Sequence, residues 1–331
     1  ATIPDWVHAG LPLSELFRLR VELVHNLLPQ PTTHWRILIP RIEVFTCRGV
    51  ATLSNLISHA SRVSFLTLSA NTPSQRRLMN IKPIAAFADN YIWMISTEGK
   101  AAVVDPGDAA PVIAELEARK LVLDTIIITH HHFDHTGGIE TLKRETGCRV
   151  IGPDNPKIKG IDETMSEGKL VSVLGYRFSV LEVPGHTLDH IAYYCSDSEV
   201  LFCGDTLFVG GCGRVFEGTF SMMQSSLEKL GRLPAATEVY CTHEYTLANL
   251  NFALKVEPTN EDLKNHFEAC TESRAENKPT VPSTIGRERA INPFLRWDSP
   301  IIIEQLKVTD RYEGNSAAAV FGAVRAWKDQ G

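Results

Sequence analysis

From residue 81 onward, short apolar runs that suit β-strands alternate with longer runs of helical period. Strands are predicted over residues 81–87, 91–96, 101–105, 125–129, 176–183, 191–195, 200–203 and 238–241. Helices are predicted over residues 110–120, 137–146 and 220–230. Alternation of strands and helices is typical of a layered α/β fold. We therefore predict an α/β domain in the middle of the chain.

After residue 245 the pattern becomes helical. Helices are predicted over residues 246–256, 260–277, 300–308 and 316–330. Pro258 and Pro279 end the first two of these helices, because proline cannot continue a helix. The pattern predicts an α/β domain over residues 79–245 and a smaller helical domain over residues 246–331.

The first 78 residues differ in composition from the rest. They contain no methionine and no lysine but eight arginines, with many serines and threonines. This composition is compatible with an organelle transit peptide, and also with upstream sequence translated from too early a start. We predict an N-terminal extension that is poorly structured and without chemistry, so His8, His25, His34 and His59 are not ligand candidates. The expected location is cytoplasmic, or mitochondrial if the extension is a genuine transit peptide.

The overall composition narrows the class of protein. The 331 residues can bury a large core, and the hydrophobic (44%) and charged (22%) fractions are those of an ordinary globular protein. No apolar run reaches the length of a membrane helix, and a net charge of −6 argues against a general nucleic-acid binder. Seven cysteines without a C-x-x-C pair indicate thiols in a reducing compartment.

The most informative segment is residues 129–138, which read T-H-H-H-F-D-H-T-G-G. It offers His130, His132, Asp134 and His135 directly after a β-branched apolar strand. A strand that ends in such a cluster brings imidazoles and a carboxylate to the edge of a sheet. Imidazole suits zinc and iron, and carboxylate suits harder cations, so the mixture predicts a hydrolytic transition-metal site.

Three further segments complete a ligand set. His186, Asp205 and His243 each follow an apolar run that reads as a strand, in V-P-G-H-T, L-F-C-G-D-T and V-Y-C-T-H-E. In layered α/β folds, ligand sites collect where strands end. The alternative is a set of unrelated polar strand ends, and the shared position of the candidates argues against it. A thiolate ligand at Cys203 or Cys241 is disfavoured, because Asp205 and His243 are better placed.

Several other stretches carry a family resemblance. They are G-D-T-L-F from Gly204, G-C-G-R from Gly211, E-G-T from Glu217, H-E-Y-T from His243, P-T-V-P-S from Pro279 and N-P-F from Asn292. With these motifs, residues 80–331 resemble the glyoxalase II (hydroxyacylglutathione hydrolase) family of the metallo-β-lactamase superfamily. The resemblance implies a four-layer αβ/βα sandwich with the site at one sheet edge, followed by a smaller α-helical domain that binds glutathione.

The resemblance also implies a binuclear metal site. One metal ion is held by His130, His132 and His186, the second by Asp134, His135 and His243, and Asp205 bridges the two. A hydroxide shared by two divalent cations then serves as the nucleophile at neutral pH, with Asp134, Asp205 and His186 as catalytic ligands. Zinc is the expected metal, and iron or manganese suits the same ligand set.

Three residues near the ligand candidates have open roles. Asp105 either forms an Asx-type turn before proline or, as the superfamily implies, orients a ligand histidine, and we weigh the two evenly. His131 lies between two ligands and is predicted to point away from them. His190 either supports a ligand or packs in the core, and many relatives have glycine where Asp189 stands.

Substrate contacts are implied by the C-terminal part of the resemblance. Arg325 and Lys328 share one helix face and match the segment that grips glutathione, and a solvated basic helix end is the alternative. Tyr245 matches a tyrosine that contacts the tripeptide. Arg214 stands where the family commonly has lysine, so a cation is kept. Phe216 stands where some members have tyrosine, so a hydroxyl contact is lost.

The implied activity is thiolester hydrolysis, which converts S-D-lactoylglutathione and water to D-lactate and glutathione in methylglyoxal detoxification, by a protein expected to be monomeric. A mono-iron sulfur dioxygenase of the same superfamily is an alternative that would leave Asp134 unused as a ligand. A lactonase or β-lactamase would lack the C-terminal helical domain. A metal-bearing binding protein without turnover is the alternative from another class, and the complete ligand set argues against it.

Overall fold

The computed structural model describes two strands near the N-terminus and residues 78–331. The strands β1 (Glu43–Thr46) and β2 (Gly49–Thr52) form an antiparallel hairpin. They fall in the compact unit Ala1–Ala70, and the second unit is Asn71–Gly331. The predictions for the N-terminal extension lie outside the described residues, apart from this hairpin and the last residue of the extension.

Within residues 78–331, the first sheet has six strands whose spatial order follows the sequence. They are β3 (Asn80–Ala86), β4 (Asn90–Thr97), β5 (Lys100–Val104), β6 (Val122–Ile127), β7 (Arg149–Pro153) and β8 (Glu163–Met165). From β5 to β8 the neighbouring strands are parallel. Their connections contain α1 (Ala109–Arg119), α2 (Phe133–Thr136) and α3 (Ile139–Thr146).

The next strands belong to a second sheet and a short hairpin. They are β9 (Leu170–Val173), β10 (Tyr176–Glu182), β11 (Ile191–Cys195), β12 (Val200–Gly204), β13 (Leu207–Phe208), β14 (Gly211–Cys212), β15 (Glu238–Cys241) and β16 (Ser283–Thr284). The sheet has the order β16–β15–β12–β11–β10–β9, and β13 pairs with β14. Within the sheet, β12 and β15 are parallel and the other neighbours are antiparallel.

The remaining helices surround and extend this second sheet. They are α4 (Phe220–Gly231), α5 (Thr246–Val256), α6 (Glu261–Ala275), α7 (Ile285–Ile291), α8 (Pro300–Val308) and α9 (Ala317–Asp329). A short 3₁₀ helix, Pro293–Leu295, follows α7. None of the described helices combines the length and the apolar character needed to cross a membrane.

Strand β4 shows why the two sheets stack with helices outside them. Ile92 and Met94 pack in a cluster with residues of α1 and α3, whereas Trp93 and Ile95 pack in a cluster with residues of the second sheet. Successive side chains of a strand point to opposite faces, so β4 is covered on both sides. Each such buried side chain contributes roughly 1.5–3 kcal/mol. The predicted fold class, a four-layer αβ/βα sandwich followed by helices, is confirmed.

The C-terminal helices are packed against the sandwich. Helix α9 contacts α4, and β16 extends the second sheet beside β15. Val320, Phe321 and Val324 of α9 are buried in the same cluster as the strands of the second sheet. At the start of α9 the Ser316 side chain accepts a hydrogen bond from the backbone N–H of Ala319, as N-cap residues do. This packing holds the last turns of α9 beside the sandwich.

The sequence pattern predicts none of β7, β8, β9, β13, β14, β16, α2 and α7. The strands β8, β13, β14 and β16 have only two or three residues, and α2 has only four, which is too short for a periodic signal. The predicted strand over residues 125–129 is displaced, because β6 covers Val122–Ile127. Thr129 and His130 therefore lie beyond the strand end, where the chain is free to turn.

Candidate metal centre and its cavity

The structure gathers the seven predicted metal ligands from both sheets. His130, His132, Asp134 and His135 follow β6, His186 follows β10, Asp205 follows β12, and His243 follows β15. Strand β6 lies in the first sheet, and the other three strands lie in the second. In layered α/β folds, loops at the carboxyl ends of strands meet at one edge. The stacking of the two sheets thus places the two groups of loops face to face.

Three imidazoles form a first set of converging nitrogen atoms. His130 Nε2 lies 3.1 Å from His132 Nδ1, and His186 Nε2 lies 3.0 Å from the same His132 atom. A tetrahedral ion with bonds of 2.0–2.1 Å keeps its ligand atoms about 3.3 Å apart. The three nitrogens are therefore spaced as one metal ion requires, and the three residues together could hold an ion.

A second set is built around Asp134. Its Oδ2 lies 3.5 Å from His135 Nε2 and 3.4 Å from His243 Nε2. These three residues also form a group that could hold an ion. Asp205 lies between the two sets, with Oδ2 3.4 Å from His186 Nε2 and 3.3 Å from His243 Nε2. Its position is that of a carboxylate shared by both sets.

Two buried atoms test whether a cation fits this arrangement. Within residues 78–331, His135 Nε2 and Asp205 Oδ1 are buried without a hydrogen-bond partner, and they lie 3.5 Å apart. Buried polar atoms are rarely left unpaired, because each loses its hydration without compensation. A cation beside both atoms would satisfy a lone pair on each. The residues present therefore fit a metal ion.

The charges of the centre also favour a cation. Burial would raise the pKa of Asp205, but the imidazoles of His135 and His243 outweigh burial and hold that pKa well below its ordinary range. Burial would lower the pKa of His243, but the carboxylates of Asp205 and Asp134 outweigh it and raise that pKa to about 10. A metal ion must displace the proton from this imidazole, so metal affinity falls as the pH falls.

Hydrogen bonds at the far nitrogen of each ring orient the imidazoles. His186 Nδ1 donates to the Arg214 carbonyl oxygen at 2.7 Å, and His243 Nδ1 donates to Asp89 Oδ1 at 2.7 Å. His135 Nδ1 donates to Asp105 Oδ2 at 3.0 Å. Each bond fixes the tautomer and turns the Nε2 lone pair toward the other ligands.

Asp105 is placed as the orienting carboxylate that the resemblance implies. Besides His135, its carboxylate accepts hydrogen bonds from the backbone N–H and the hydroxyl of Thr129, both at 2.7 Å. The Thr129 hydroxyl oxygen in turn lies 3.1 Å from His130 Nδ1. Asp105 has a φ of 51°, a left-handed conformation that costs a non-glycine residue about 1–2 kcal/mol. The surrounding hydrogen bonds hold this strained backbone in place.

His190 contacts the centre from behind. Its Nε2 accepts a hydrogen bond from the Asp205 backbone N–H at 3.0 Å, and its ring stacks on His130 with centroids 4.5 Å apart. Burial lowers the pKa of His190 to about 3, so the ring is a neutral acceptor. Gly204 has a φ of +48°, and a Cβ there would lie 2.4 Å from the Thr129 hydroxyl. The close approach of this turn to His190 requires glycine.

Two residues that the sequence pattern did not indicate, Asp89 and Asn90, contact the ligand candidates. Asn90 Nδ2 donates to Asp134 Oδ2 at 3.0 Å, and Asp89 accepts from His243 as described above. Both lie where the turn between β3 and β4 ends. Asp and Asn are common turn residues, so the D-N dipeptide predicts the turn. It does not predict the contacts with Asp134 and His243.

A cavity of about 460 Å³ opens onto the centre. One part of its lining, here called the metal wall, contains His132, Asp134, His186, Asp205 and His243. Another part, here called the cationic wall, contains Arg214, Phe216, Tyr245, Arg325 and Lys328. The structure thus brings every predicted substrate contact to the same cavity as five of the seven predicted metal ligands.

The alternative of a solvated basic helix end at α9 is wrong. Arg325 is only 4% exposed, and its guanidinium donates to the Cys212 carbonyl oxygen at 3.2 Å and to Asp329 Oδ1 at 2.8 Å. The Lys328 ammonium donates to the side-chain oxygen of Asn249. Burial lowers the pKa of Lys328 to about 8. Both cations are held by the protein at the wall of the cavity.

Three further residues complete the cationic wall. The Tyr245 ring stacks on His243 with centroids 4.7 Å apart, and burial raises the Tyr245 pKa to about 12. Phe216 is 60% exposed and meets the His186 ring edge-on at 5.3 Å. Arg214 is largely exposed, with Nε 3.3 Å from Asp329 Oδ1. Tyr245 thus keeps its hydroxyl proton at neutral pH, and Phe216 offers only an apolar surface.

Comparison with known proteins finds two family models along the chain. Residues 87–243 match the metallo-beta-lactamase superfamily, and residues 244–331 match the hydroxyacylglutathione hydrolase C-terminus. A hydroxyacylglutathione hydrolase of Ectopseudomonas mendocina (strain ymp) is 51% identical over 256 residues, which cover 76% of this chain and 100% of that protein. The protein of the same name from Chromohalobacter salexigens has the same identity and coverage.

Solved structures show the same fold. The crystal structure of ETHE1 from Myxococcus xanthus has a TM-score of 0.52 at 25% identity and covers 76% of this chain and 100% of that chain. The BLEG-1 B3 metallo-beta-lactamase has a TM-score of 0.51 at 23% identity and covers 66% of this chain and 100% of that chain. The similarity to the BLEG-1 enzyme concerns the fold alone.

Proposed function

The chain belongs to the hydroxyacylglutathione hydrolase family of the metallo-β-lactamase superfamily, and we propose on this basis that it hydrolyses S-D-lactoylglutathione to D-lactate and glutathione. The reaction consumes one water, breaks the acyl carbon–sulfur bond and forms an acyl carbon–oxygen bond. The observation that carries the proposal is one cavity whose lining contains both metal-ligand candidates and two cations of α9, the buried Arg325 and the half-buried Lys328. One wall suits the chemistry, and the other suits an anionic peptide.

We further propose that the protein holds two divalent cations, with zinc favoured over iron or manganese. His130, His132 and His186 would hold one, Asp134, His135 and His243 the other, and Asp205 would contact both. When bound, such cations make water a nucleophile at neutral pH and polarise the carbonyl of the thiolester. The mixture of imidazole nitrogens and carboxylate oxygens suits any of these metals, so availability decides among them.

The side chains around the centre are oriented before any substrate binds. The Nδ1–H groups of His135, His186 and His243 all donate hydrogen bonds, so each ring is held with its Nε2 directed at the centre. A metal ion that displaces a proton from Nε2 would find the lone pair already aimed at it. Asn90 donates to the Asp134 carboxylate and restrains its rotation. A centre whose ligands are oriented in advance needs little reorganisation during the reaction.

The cationic wall would bind the peptide part of the substrate. Arg325 and Lys328 present positive charge to the glycyl carboxylate of glutathione, and charge-assisted bonds of this kind are the stronger ones. The Tyr245 hydroxyl, which shares a hydrogen bond with Asp89 and stays protonated, adds a polar group to this part of the cavity. Phe216 adds apolar surface and no hydrogen bond. These contacts leave the reacting carbonyl to the metal wall.

We propose a cytoplasmic enzyme that acts as a monomer. Both walls of the cavity come from one chain, so the described site needs no second subunit. Six cysteines of the described region are buried free thiols, which suits a reducing compartment.

Metal content and turnover, measured on the same preparation, test the proposed function. We expect two metal equivalents per chain and release of one thiol for each lactoylglutathione consumed, followed with a thiol reagent. Removal of metal with a chelator should abolish turnover, and readdition of zinc should restore it. A protein that holds metal but releases no thiol would contradict the proposal. Oxygen consumption with a glutathione persulfide would favour the sulfur dioxygenase alternative.

A further inference from the structure

A hydrogen-bonded network lies outside the cavity, behind the first set of imidazoles. His131 Nδ1 lies 2.8 Å from Asp189 Oδ1, and Asn155 Nδ2 donates to Asp189 Oδ2 at 2.8 Å. On the other side of the His131 ring, Nε2 lies 3.1 Å from Lys157 Nζ, and the same ammonium lies 3.3 Å from Glu217 Oε1. None of these five residues lines the cavity.

The partners determine how His131 bonds. The Lys157 ammonium can only donate, so His131 Nε2 accepts from it. The hydrogen of the neutral ring is then on Nδ1 and is donated to the Asp189 carboxylate. The side chains of His131 and Asp189 are 9% and 10% exposed, so water competes little for this bond. The pair is a directional side-chain contact between the loop that follows β6 and the loop that follows β10.

The network connects the loops that carry the first set of imidazoles. His131 lies between His130 and His132, and Asp189 lies in the same loop as His186, between β10 and β11. Glu217 closes that loop from the other side, because its carboxylate accepts the Leu188 backbone N–H at 2.9 Å. The two loops also meet where the His190 ring stacks on His130 and where the Ile191 backbone N–H donates to the Thr129 carbonyl oxygen at 2.9 Å. The His131–Asp189 bond adds a side-chain link beside His132 and His186, so it helps to set the distance between these two ligands.

The same residues could instead be read as a third metal site, since His131, Asp189 and Glu217 lie close enough to share an ion. The position of Lys157 argues against that reading. Its ammonium lies within 3.3 Å of both His131 Nε2 and Glu217 Oε1 and already supplies the positive charge. The cluster is therefore complete without a metal ion.

We propose that His131 and Asp189 are positioning residues, which hold the loops of His130, His132 and His186 around their metal ion. This inference rests on the proposed metal-binding role of those three imidazoles. Partners outside the ligand set typically change metal affinity by about 10–100-fold. Breaking the pair should therefore speed the loss of this ion by about tenfold. The substrate contacts should be unaffected, because the pair lies outside the cavity.

Metal release from the loaded full-length protein tests the proposal. Zinc loss to excess chromophoric chelator is followed over time for the wild type, Asp189→Ala, His131→Leu and the double variant, because neither replacement side chain can form a hydrogen bond. The ligand variants His132→Ala and Asp134→Ala assign the release phases to the two sets. We expect the phase of the first set to be about tenfold faster in each single variant, with the second phase unchanged. The double variant should be no faster than the singles, because one contact is lost in all three.

Controls separate positioning from general damage to the fold. Asp124→Asn removes a carboxylate that bonds Lys100 and Thr125 away from the centre, and it should release zinc at the wild-type rate. The KM for lactoylglutathione should stay within about twofold of wild type in Asp189→Ala. Wild-type release rates in both single variants would overturn the proposal, and so would additive acceleration in the double variant. A protein that retains zinc but does not hydrolyse the thiolester would refute the proposed function while leaving this test valid.

Discussion

The metal wall takes its side chains from loops that follow strands, whereas the cationic wall takes two of its charges from α9 near the end of the chain. Histidine and aspartate are short, and the rings of the metal wall are turned by hydrogen bonds such as that from His243 to Asp89. Arginine and lysine are long, and the charged ends of Arg325 and Lys328 lie against an aromatic ring. The Arg325 guanidinium lies 5.3 Å from the centre of the Phe294 ring, and Lys328 lies 5.8 Å from it.

In the proposed function, this difference separates two tasks of the cavity. Directed lone pairs would hold the metal ions that act on the reacting carbonyl, where small displacements are costly. The charges of α9 would bind an anionic group some distance from the reaction, where direction matters less. Substitutions in the metal wall should therefore change turnover, and substitutions in the cationic wall should change affinity. Four experiments test this distinction.

The largest effect is expected at Asp205, whose oxygens face imidazoles of both sets. Asp205→Ala should lower kcat by roughly 10³-fold or more and reduce the metal content, because electrostatic stabilisation of this kind is a large term. Binding of a glutathione thioether, which has no acyl carbon, should change by less than about threefold. Asp124→Asn is the matched control. Two retained metal ions with normal activity would refute the shared role of Asp205.

Arg325→Ala should act on affinity instead. A charge-assisted hydrogen bond contributes roughly 1.5–3 kcal/mol, so KM for lactoylglutathione should rise about tenfold or more. The kcat should fall much less, and metal content should not change. Arg311→Ala is the control for packing. The Arg311 guanidinium lies over the ring of Trp327, which belongs to α9, but Arg311 does not line the cavity. An equal loss on a neutral thiolester without the peptide would show that Arg325 is structural.

A smaller effect should appear in the pH dependence of binding. Burial lowers the pKa of Lys328 to about 8, so the ammonium is charged below that pH and neutral above it. The kcat/KM for lactoylglutathione should therefore fall about fivefold as the pH rises through 8, equivalent to roughly 1 kcal/mol. Lys328→Arg should remove this fall, because arginine stays charged. If kcat/KM for a neutral thiolester falls by the same factor over this pH range, the titrating group belongs to the metal wall and not to Lys328.

The smallest effect is expected outside both walls. A chain that begins at Met79 should retain kcat/KM within about twofold, because every residue of the cavity lies within Asn71–Gly331. The shortened chain lacks Leu78, whose carbonyl oxygen accepts a hydrogen bond from the Tyr176 hydroxyl at 3.0 Å. Such a bond contributes roughly 0.5–1.5 kcal/mol to the free energy of unfolding. Tyr176→Phe in the full chain should lower thermal stability by a similar amount. Failure of the shortened chain to fold would show that the N-terminal extension is integral.

The metal wall was predictable because each ligand candidate ends an apolar run. His186, Asp205 and His243 are far apart in the sequence but occupy the same kind of position, and that shared position predicted their convergence. Asp89 and Asn90 were not predictable, because their contacts with His243 and Asp134 cross 154 and 44 residues. A turn dipeptide carries no information about such distant partners.

The cationic wall was predictable only in part. The spacing of Arg325 and Lys328 indicates a shared helix face, and their match to the family segment suggested the substrate. Their burial depends on Cys212 and Asn249, which belong to other elements, so the helix pattern could not distinguish a cavity wall from a solvated helix end. The role of Asp189 was open for the same reason, since its partners His131 and Asn155 lie in other loops.

By itself the sequence determined the fold class, the strand ends that carry histidine and aspartate, and the family, because periodicity and motifs depend on neighbours along the chain. Only the tertiary structure decided which nitrogen of each imidazole faces the centre, that Asp205 lies between two sets, and that the cations of α9 are buried. These features arise where two sheets and a helix meet. Their physical cause is contact between residues that no local pattern connects.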